Sequence, residues 1–177
     1  MSTVSDVSGV HYSTDYRVDS LLHSTIDWNY ILPERTTLYY TFHITKDEAS
    51  PSGASFSGST TAFDTTQKNA AISIISHIAS ITGITFEEKP DSASADFHFA
   101  NINIAGTSTA GLCQTTEGYS ANPTTNELAS CNAEAYVYLD NVEFLNINST
   151  PTFGSEGYFV LLHEMGHAMG LGHPFEG

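Results

Sequence analysis

Apolar and polar positions along this chain change period several times, and each change marks an element. Over residues 36–44, in Thr36-Thr37-Leu38-Tyr39-Tyr40-Thr41-Phe42-His43-Ile44, the pattern alternates and is rich in Tyr, Phe and Thr, which predicts a first strand. Trp28 and Pro33 stand just before it, placed to close the edge of a core. Further on the period lengthens, so that Ala71, Ile74, Ile75, Ile78 and Ala79 share one helical face. Asp64-Thr65-Thr66-Gln67 is an acidic capping box that starts this helix. Residues 84–88 and 96–101 predict two more strands, with Phe97 and Phe99 on one face and His98 on the other. Residues 135–140 predict another, with Val137 and Leu139 opposite Tyr136, Tyr138 and Asp140. Gly157, Tyr158, Val160, Leu161 and Leu162 lead into a final helix, and Val18, Leu21 and Leu22 mark a short one over 16–23. Strand, helix, strands, helix is the order of a mixed α/β (α+β) domain, a sheet with helices packed on it.

Between these elements the chain reads as loop. Residues 1–15 are polar and unpatterned, a mobile lead-in to a single domain over 16–177. Residues 49–61 are dominated by Ser, Gly and Thr and predict a surface loop. Residues 115–132 predict a long loop bracketed by the cysteines.

Composition narrows the partners. An apolar fraction of 40% over 177 residues can build a core. Twenty acidic against five basic residues give a net charge of −15, which repels nucleic acid and anionic membranes. No stretch approaches a transmembrane length, and the first residues lack the basic and apolar regions of a signal peptide. Cys113 and Cys131 form no C-x-x-C pair. Their separation across a Gly/Pro/Asn-rich loop suits a local disulfide in an oxidising compartment, the other reading being two buried thiols. His43, His77 and His98 read as ordinary helix and sheet histidines, and no calcium-binding loop motif is present.

The densest chemistry lies in His163-Glu164-Met165-Gly166-His167-Ala168-Met169-Gly170-Leu171-Gly172-His173, the pattern H-E-x-x-H-x-x-G-x-x-H. On a helix His163 and His167 leave one face, roughly 6 Å apart along the axis. Both nitrogens then reach one zinc ion at about 2.0–2.1 Å. Glu164 is placed to take a proton from a water at the metal rather than to bind it. Gly170 can adopt the left-handed conformation that ends a helix, after which His173 supplies a third nitrogen. The fourth position stays open, as in catalytic sites. A bare H-E-x-x-H also arises from two surface histidines and a solvated glutamate; Gly170 and His173 at their spacings argue against that.

These residues resemble the zinc signature of the metzincins. Gly154-Ser155-Glu156-Gly157-Tyr158 and His173-Pro174 are similar to the serralysin branch, secreted bacterial zinc proteases. Gly83-Ile84-Thr85-Phe86-Glu87-Glu88 and Ala95-Asp96-Phe97-His98-Phe99-Ala100-Asn101 resemble paired strands of that branch's catalytic domain, so the resemblance runs from about Leu21 onward. It implies the metzincin N-terminal subdomain: a twisted, mostly parallel sheet with one antiparallel edge strand, a backing helix and an active-site helix. It implies a zinc endopeptidase acting on extracellular proteins, with one zinc on His163, His167 and His173 and Glu164 as general base. A protein or peptide substrate would lie extended along an edge strand from Thr109 to Gln114. The resemblance further implies secretion through a C-terminal signal, with calcium sites only in a region beyond Gly177, and admits a proteinaceous inhibitor as partner. The family's Met-turn is not in this sequence, since Met165 and Met169 fall within the expected helix. A truncated or non-catalytic piece that binds zinc or peptide without turnover is therefore the competing expectation, and hydrolysis of a small amide a third.

Overall fold

Asp64 and Gln67 show how a local signal starts an element. The Asp64 carboxylate accepts the Gln67 backbone N–H, and the Gln67 side chain accepts the Asp64 N–H, both at 2.9 Å. That reciprocal cap opens the longest helix, which Gly83 closes at φ 77°. The computed structural model describes residues 2–22, 28–31, 33–44 and 56–174. In chain order they form α1 (Val4–Val7), α2 (Tyr16–Asp19), a 3-10 turn (Trp28–Tyr30), β1 (Thr37–Thr41) and β2 (Phe56–Thr61). There follow α3 (Thr65–Thr82), β3 (Thr85–Glu88), β4 (Phe97–Ile104), β5 (Gly111–Ala121), β6 (Leu128–Asp140), α4 (Leu145–Asn148) and α5 (Glu156–Ala168).

The strands make one mixed sheet in the order β3-β1-β4-β6-β5. β1 is parallel to β3 and β4, β4 is parallel to β6, and β5 closes the edge antiparallel to β6. The fold is thus mixed α/β with a mostly parallel sheet. On one face Leu38, Tyr40, Phe42, Phe97, Phe99, Val137 and Leu139 meet Ala71, Ile74 and Ile75 of α3 and Leu161, Met165 and Ala168 of α5. Each large side chain buried there contributes about 1.5–3 kcal/mol relative to exposure. The opposite face carries a smaller cluster of Ala100, Ile102, Ile104 and Tyr138. The period-two alternation of β4 and β6 therefore feeds two cores, one on each side.

Two expected loops are strands. β2 occupies the described half of the Ser/Thr/Gly stretch over 49–61, whose residues 49–55 lie outside the described residues. It pairs antiparallel with Asn101 to Ile104 on the edge of β4 that β1, ending at Thr41, no longer covers. Unpaired backbone on that edge recruits a strand whatever its side chains are. The expected loop over 115–132 is instead a long antiparallel hairpin of β5 and β6, turning at Asn122 to Asn126. Its outer part buries few side chains, so the polar composition is that of a solvated ribbon.

That hairpin also corrects the disulfide. Cys113 lies opposite Val137 and Cys131 opposite Tyr119, and neither is in a disulfide. Six residues of strand separate the two positions, about 20 Å at ~3.4 Å per residue. A disulfide requires Cα atoms about 4.4–6.8 Å apart.

The residues expected as a lead-in are in contact with the sheet. Thr3 bridges Glu127, and the Val4 N–H donates to the Asn126 carbonyl at 3.0 Å. Of the short helix expected over 16–23, whose His23 lies outside the described residues, Tyr16–Asp19 is helical and capped by Asp15.

Buried polar groups lock the ends of the strands. Asn148 donates to the Ala110 and Asp140 carbonyls at 2.7 and 2.8 Å, and Gln67 donates to the Asn101 side chain at 2.7 Å. The Asp140 carboxylate takes the N–H groups of Ile104, Val142 and Phe144. Close backbone approach does the same for α5. A Cβ on Gly157 would lie 2.2 Å from the Ile147 carbonyl oxygen, which is backbone and cannot step aside. Gly157→Ala is expected to destabilise the fold by about 1–3 kcal/mol, as overpacking does; thermal melts of the variant and parent check it.

Candidate metal centre

The site is built by α5 and the turn that ends it. Ser155 caps the helix, accepting the Tyr158 N–H at 3.2 Å. Leu161, Met165 and Ala168 recur at helical spacing and are fully buried, which sets the rotation of α5 on the sheet. His163 and His167 consequently leave the opposite, solvent-side face. Gly170 takes φ 95°, where a residue with a Cβ would be strained. The Leu171 N–H then donates to the Gly166 carbonyl at 3.0 Å and the Gly170 N–H to the His167 carbonyl at 2.9 Å. This paired closure is the Schellman ending, and it reverses the chain so that His173 faces the helix.

The three Nε2 atoms converge in a near-equilateral triangle. His163 and His173 are 3.0 Å apart, and His167 is 3.1 Å from each. Three nitrogens at those distances cannot all donate to one another in a straight line, but they can share one cation. A metal ion bound at about 2.0–2.1 Å with tetrahedral angles needs nitrogens about 3.3 Å apart. The triangle has to open by only a few tenths of an ångström, so the donor set fits. His167 Nδ1 lies 2.7 Å from the Leu171 carbonyl. A carbonyl only accepts, so Nδ1 carries the hydrogen and Nε2 presents its lone pair to the centre. Burial, followed by the neighbouring His167 and His173, lowers the His163 pKa and favours the neutral imidazole a metal requires. Among the described residues no other group of His, Cys, Asp and Glu converges in this way.

Glu164 is 6% exposed, on the inner side of α5 against β5. Burial pushes its carboxyl up to about 7, while the Cys113 backbone N–H it accepts and the His173 charge pull the other way. Such a carboxylate is a stronger proton acceptor than a solvated one. Its space depends on Gly111: a Cβ there would lie 2.8 Å from Glu164 Cγ and from Val160 Cγ1. Gly111→Ala is expected to displace the Glu164 carboxylate from the Cys113 N–H with a smaller effect on thermal stability; amide exchange at Cys113 and melts on one preparation test this.

Between α5 and β5 lies a cleft of about 570 Å³, walled by Leu112, Phe159, Val160 and Leu171 and floored by the three histidines and Glu164. The Asp140 backbone N–H donates to the Ala110 carbonyl, and Gly111 stands opposite Leu139. Even-numbered residues of β5 therefore turn their backbone groups to β6, and Gly111, Cys113 and Thr115 turn theirs outward. The bond from Cys113 N–H to Glu164 agrees with this. Burial, then the Glu164 charge, pushes the Cys113 thiol up, so it stays protonated and is no nucleophile.

The motif residues singled out in the sequence thus come together, and of the edge strand expected from Thr109 to Gln114 the part from Gly111 on is the start of β5, Thr109 and Ala110 preceding it. His98 is buried and stacks on Tyr136 with ring centroids 4.3 Å apart, and His43 and His77 are exposed, so none joins the centre. Sequence reasoning missed Gly111, the Cys113 N–H and Leu171, whose roles depend on backbone positions that side-chain identity does not announce. Compared with known proteins, the sequence matches no family model and no curated relative.

Proposed function

We propose that this chain is a zinc-dependent endopeptidase of the metzincin type, similar in its motifs to serralysins and acting on extended segments of extracellular proteins. One observation carries the reading: three Nε2 atoms within 3.1 Å of one another, with a buried carboxylate beside them, in a cleft bounded by a strand edge. His163, His167 and His173 would hold the zinc. Zinc bound there supplies Lewis acidity and lowers the pKa of water towards about 7. Glu164 takes the proton of the attacking water and delivers it to the departing amine, a general-base and general-acid role in sequence. Its position against β5, held by the Cys113 N–H, keeps the carboxylate aimed across the cleft.

Outward backbone groups of Gly111 and Thr115 provide main-chain pairing for an extended peptide, which is tolerant of side-chain sequence. The apolar walls at Leu112, Phe159 and Leu171 suit flanking apolar side chains. This length of edge favours a polypeptide over a small amide. Extracellular action is part of the proposal and rests on the motif resemblance. No helix among the described residues is long and apolar enough to cross a membrane.

Metal analysis with a quenched-peptide assay tests the proposal. One zinc per chain is expected, with cleavage lost on chelation and restored by stoichiometric zinc. Cleavage indifferent to the chelator would refute it. Stoichiometric zinc without turnover would make the chain a binding module instead.

A further inference from the structure

The third histidine lies beyond the end of its helix, and contacts from the opposite end of the chain meet the turn that carries it. Leu22 pairs with Leu171 in an antiparallel bridge, and the Gly172 N–H donates to the Leu21 carbonyl at 2.7 Å. The Trp28 indole N–H donates to the Ala168 carbonyl at 2.9 Å, while its ring stacks on Phe97 at 4.6 Å between centroids. Ala168 ends α5, so its carbonyl belongs to the last turn, where acceptors lack helical partners. Trp28 thus ties the helix end to the main core.

Leu21 and Leu22 are themselves held in place. The Leu21 N–H donates to the Val18 carbonyl at 2.9 Å and the Leu22 N–H to the Asp19 carbonyl at 3.2 Å. Asp19 in turn accepts the Ser13 and Thr14 N–H groups at 2.7 and 3.1 Å. At the far end, the Leu128 N–H donates to the Ser2 carbonyl at 2.9 Å, beside the bridge from Thr3 to Glu127. The N-terminal segment is therefore tied at one end to the β5–β6 hairpin and at the other to the metal turn.

We infer that Leu21, Leu22 and Trp28 are positioning residues for His173, and that they convert a two-histidine helix into a three-histidine site. The inference rests on the metal reading of that site. His163 and His167 are placed by α5 alone. His173 is placed by a turn whose backbone is clamped from outside, so the metal does not have to order that turn on binding. Released from the clamp, the turn would be ordered at the expense of affinity.

The test is a double-mutant cycle in the full chain, read as zinc affinity by competition with a chromophoric chelator. Leu22→Pro removes the donor to Asp19 and restricts Leu21, whose carbonyl holds Gly172. Trp28→Phe removes the donor to Ala168 and keeps a ring on Phe97. Leu22→Pro is expected to weaken zinc binding about 10- to 100-fold, the scale of lost outer-shell support, and Trp28→Phe several-fold. Adding His173→Ala to either should cost less than His173→Ala alone, by the fold that the clamp variant itself loses, because the clamp acts through that ligand. Amide exchange at Gly172 should accelerate in Leu22→Pro without any metal present. Additive losses, or unchanged affinity in a Trp28→Phe protein that melts like its parent, overturn the inference while the metal site stands. If Leu22→Pro does not fold, the Trp28→Phe cycle decides. A parent chain that binds no zinc takes down both readings.

Discussion

Replacing Glu164 by Gln should leave zinc bound and reduce peptide cleavage by about 10²–10⁴-fold, the range a positioned general base supplies. Glutamine has nearly the same shape and keeps an oxygen to accept the Cys113 N–H, so packing against Gly111 and Val160 is retained. What it loses is the ability to take a proton. It also removes a carboxylate from a site where it is 6% exposed, so the melting temperature should hold or rise. The measurement is kcat/KM on a quenched peptide, with metal content and melting temperature from the same sample. Parent-level cleavage by the variant, with contaminating protease excluded, would end the assignment of Glu164.

The second large effect separates two histidines that the motif treats alike. His167→Ala should weaken zinc binding more than His163→Ala, by a further factor of about 10 or more. Both variants lose one Nε2 from the triangle. His167 alone also bonds the Leu171 carbonyl at 2.7 Å, next to the turn that carries His173. Removing it therefore deletes one ligand and loosens another. The metal-free His167→Ala protein should be less stable by about 1 kcal/mol, one lost hydrogen bond, whereas metal-free His163→Ala, whose side chain is exposed, should match its parent. Equal zinc affinities and equal metal-free melts would show that the Nδ1 bond contributes nothing.

Much of the fold was readable where side chains are sorted by burial. The capping box at Asp64 and Gln67, the apolar face of α3 and the alternation in β4 and β6 all appear where the pattern puts them. Reading failed where pairing, not burial, makes the strand. Phe56 to Thr61 and the outer part of the β5–β6 hairpin are polar, and their order comes from ladder bonds to a neighbour distant in sequence. The expected disulfide failed for a related reason: the same hairpin that brings the two cysteine-bearing strands side by side sets their register, and the register keeps the thiols apart.

By itself the sequence determined what is local at the site. Helical geometry places His163 and His167 on one face, and Gly170 permits the reversal that turns His173 back, because each of these is settled within a few residues of chain. Only the tertiary structure decided the environment of Glu164 and the anchoring of His173. The first needs β5, with a glycine at 111 to make room and a backbone N–H at 113 to hold the carboxylate. The second needs Leu21, Leu22 and Trp28, about 150 residues away in the chain, to clamp the turn. Backbone hydrogen bonds carry both, and every residue type offers those groups, so a sequence shows that they exist but not where they meet.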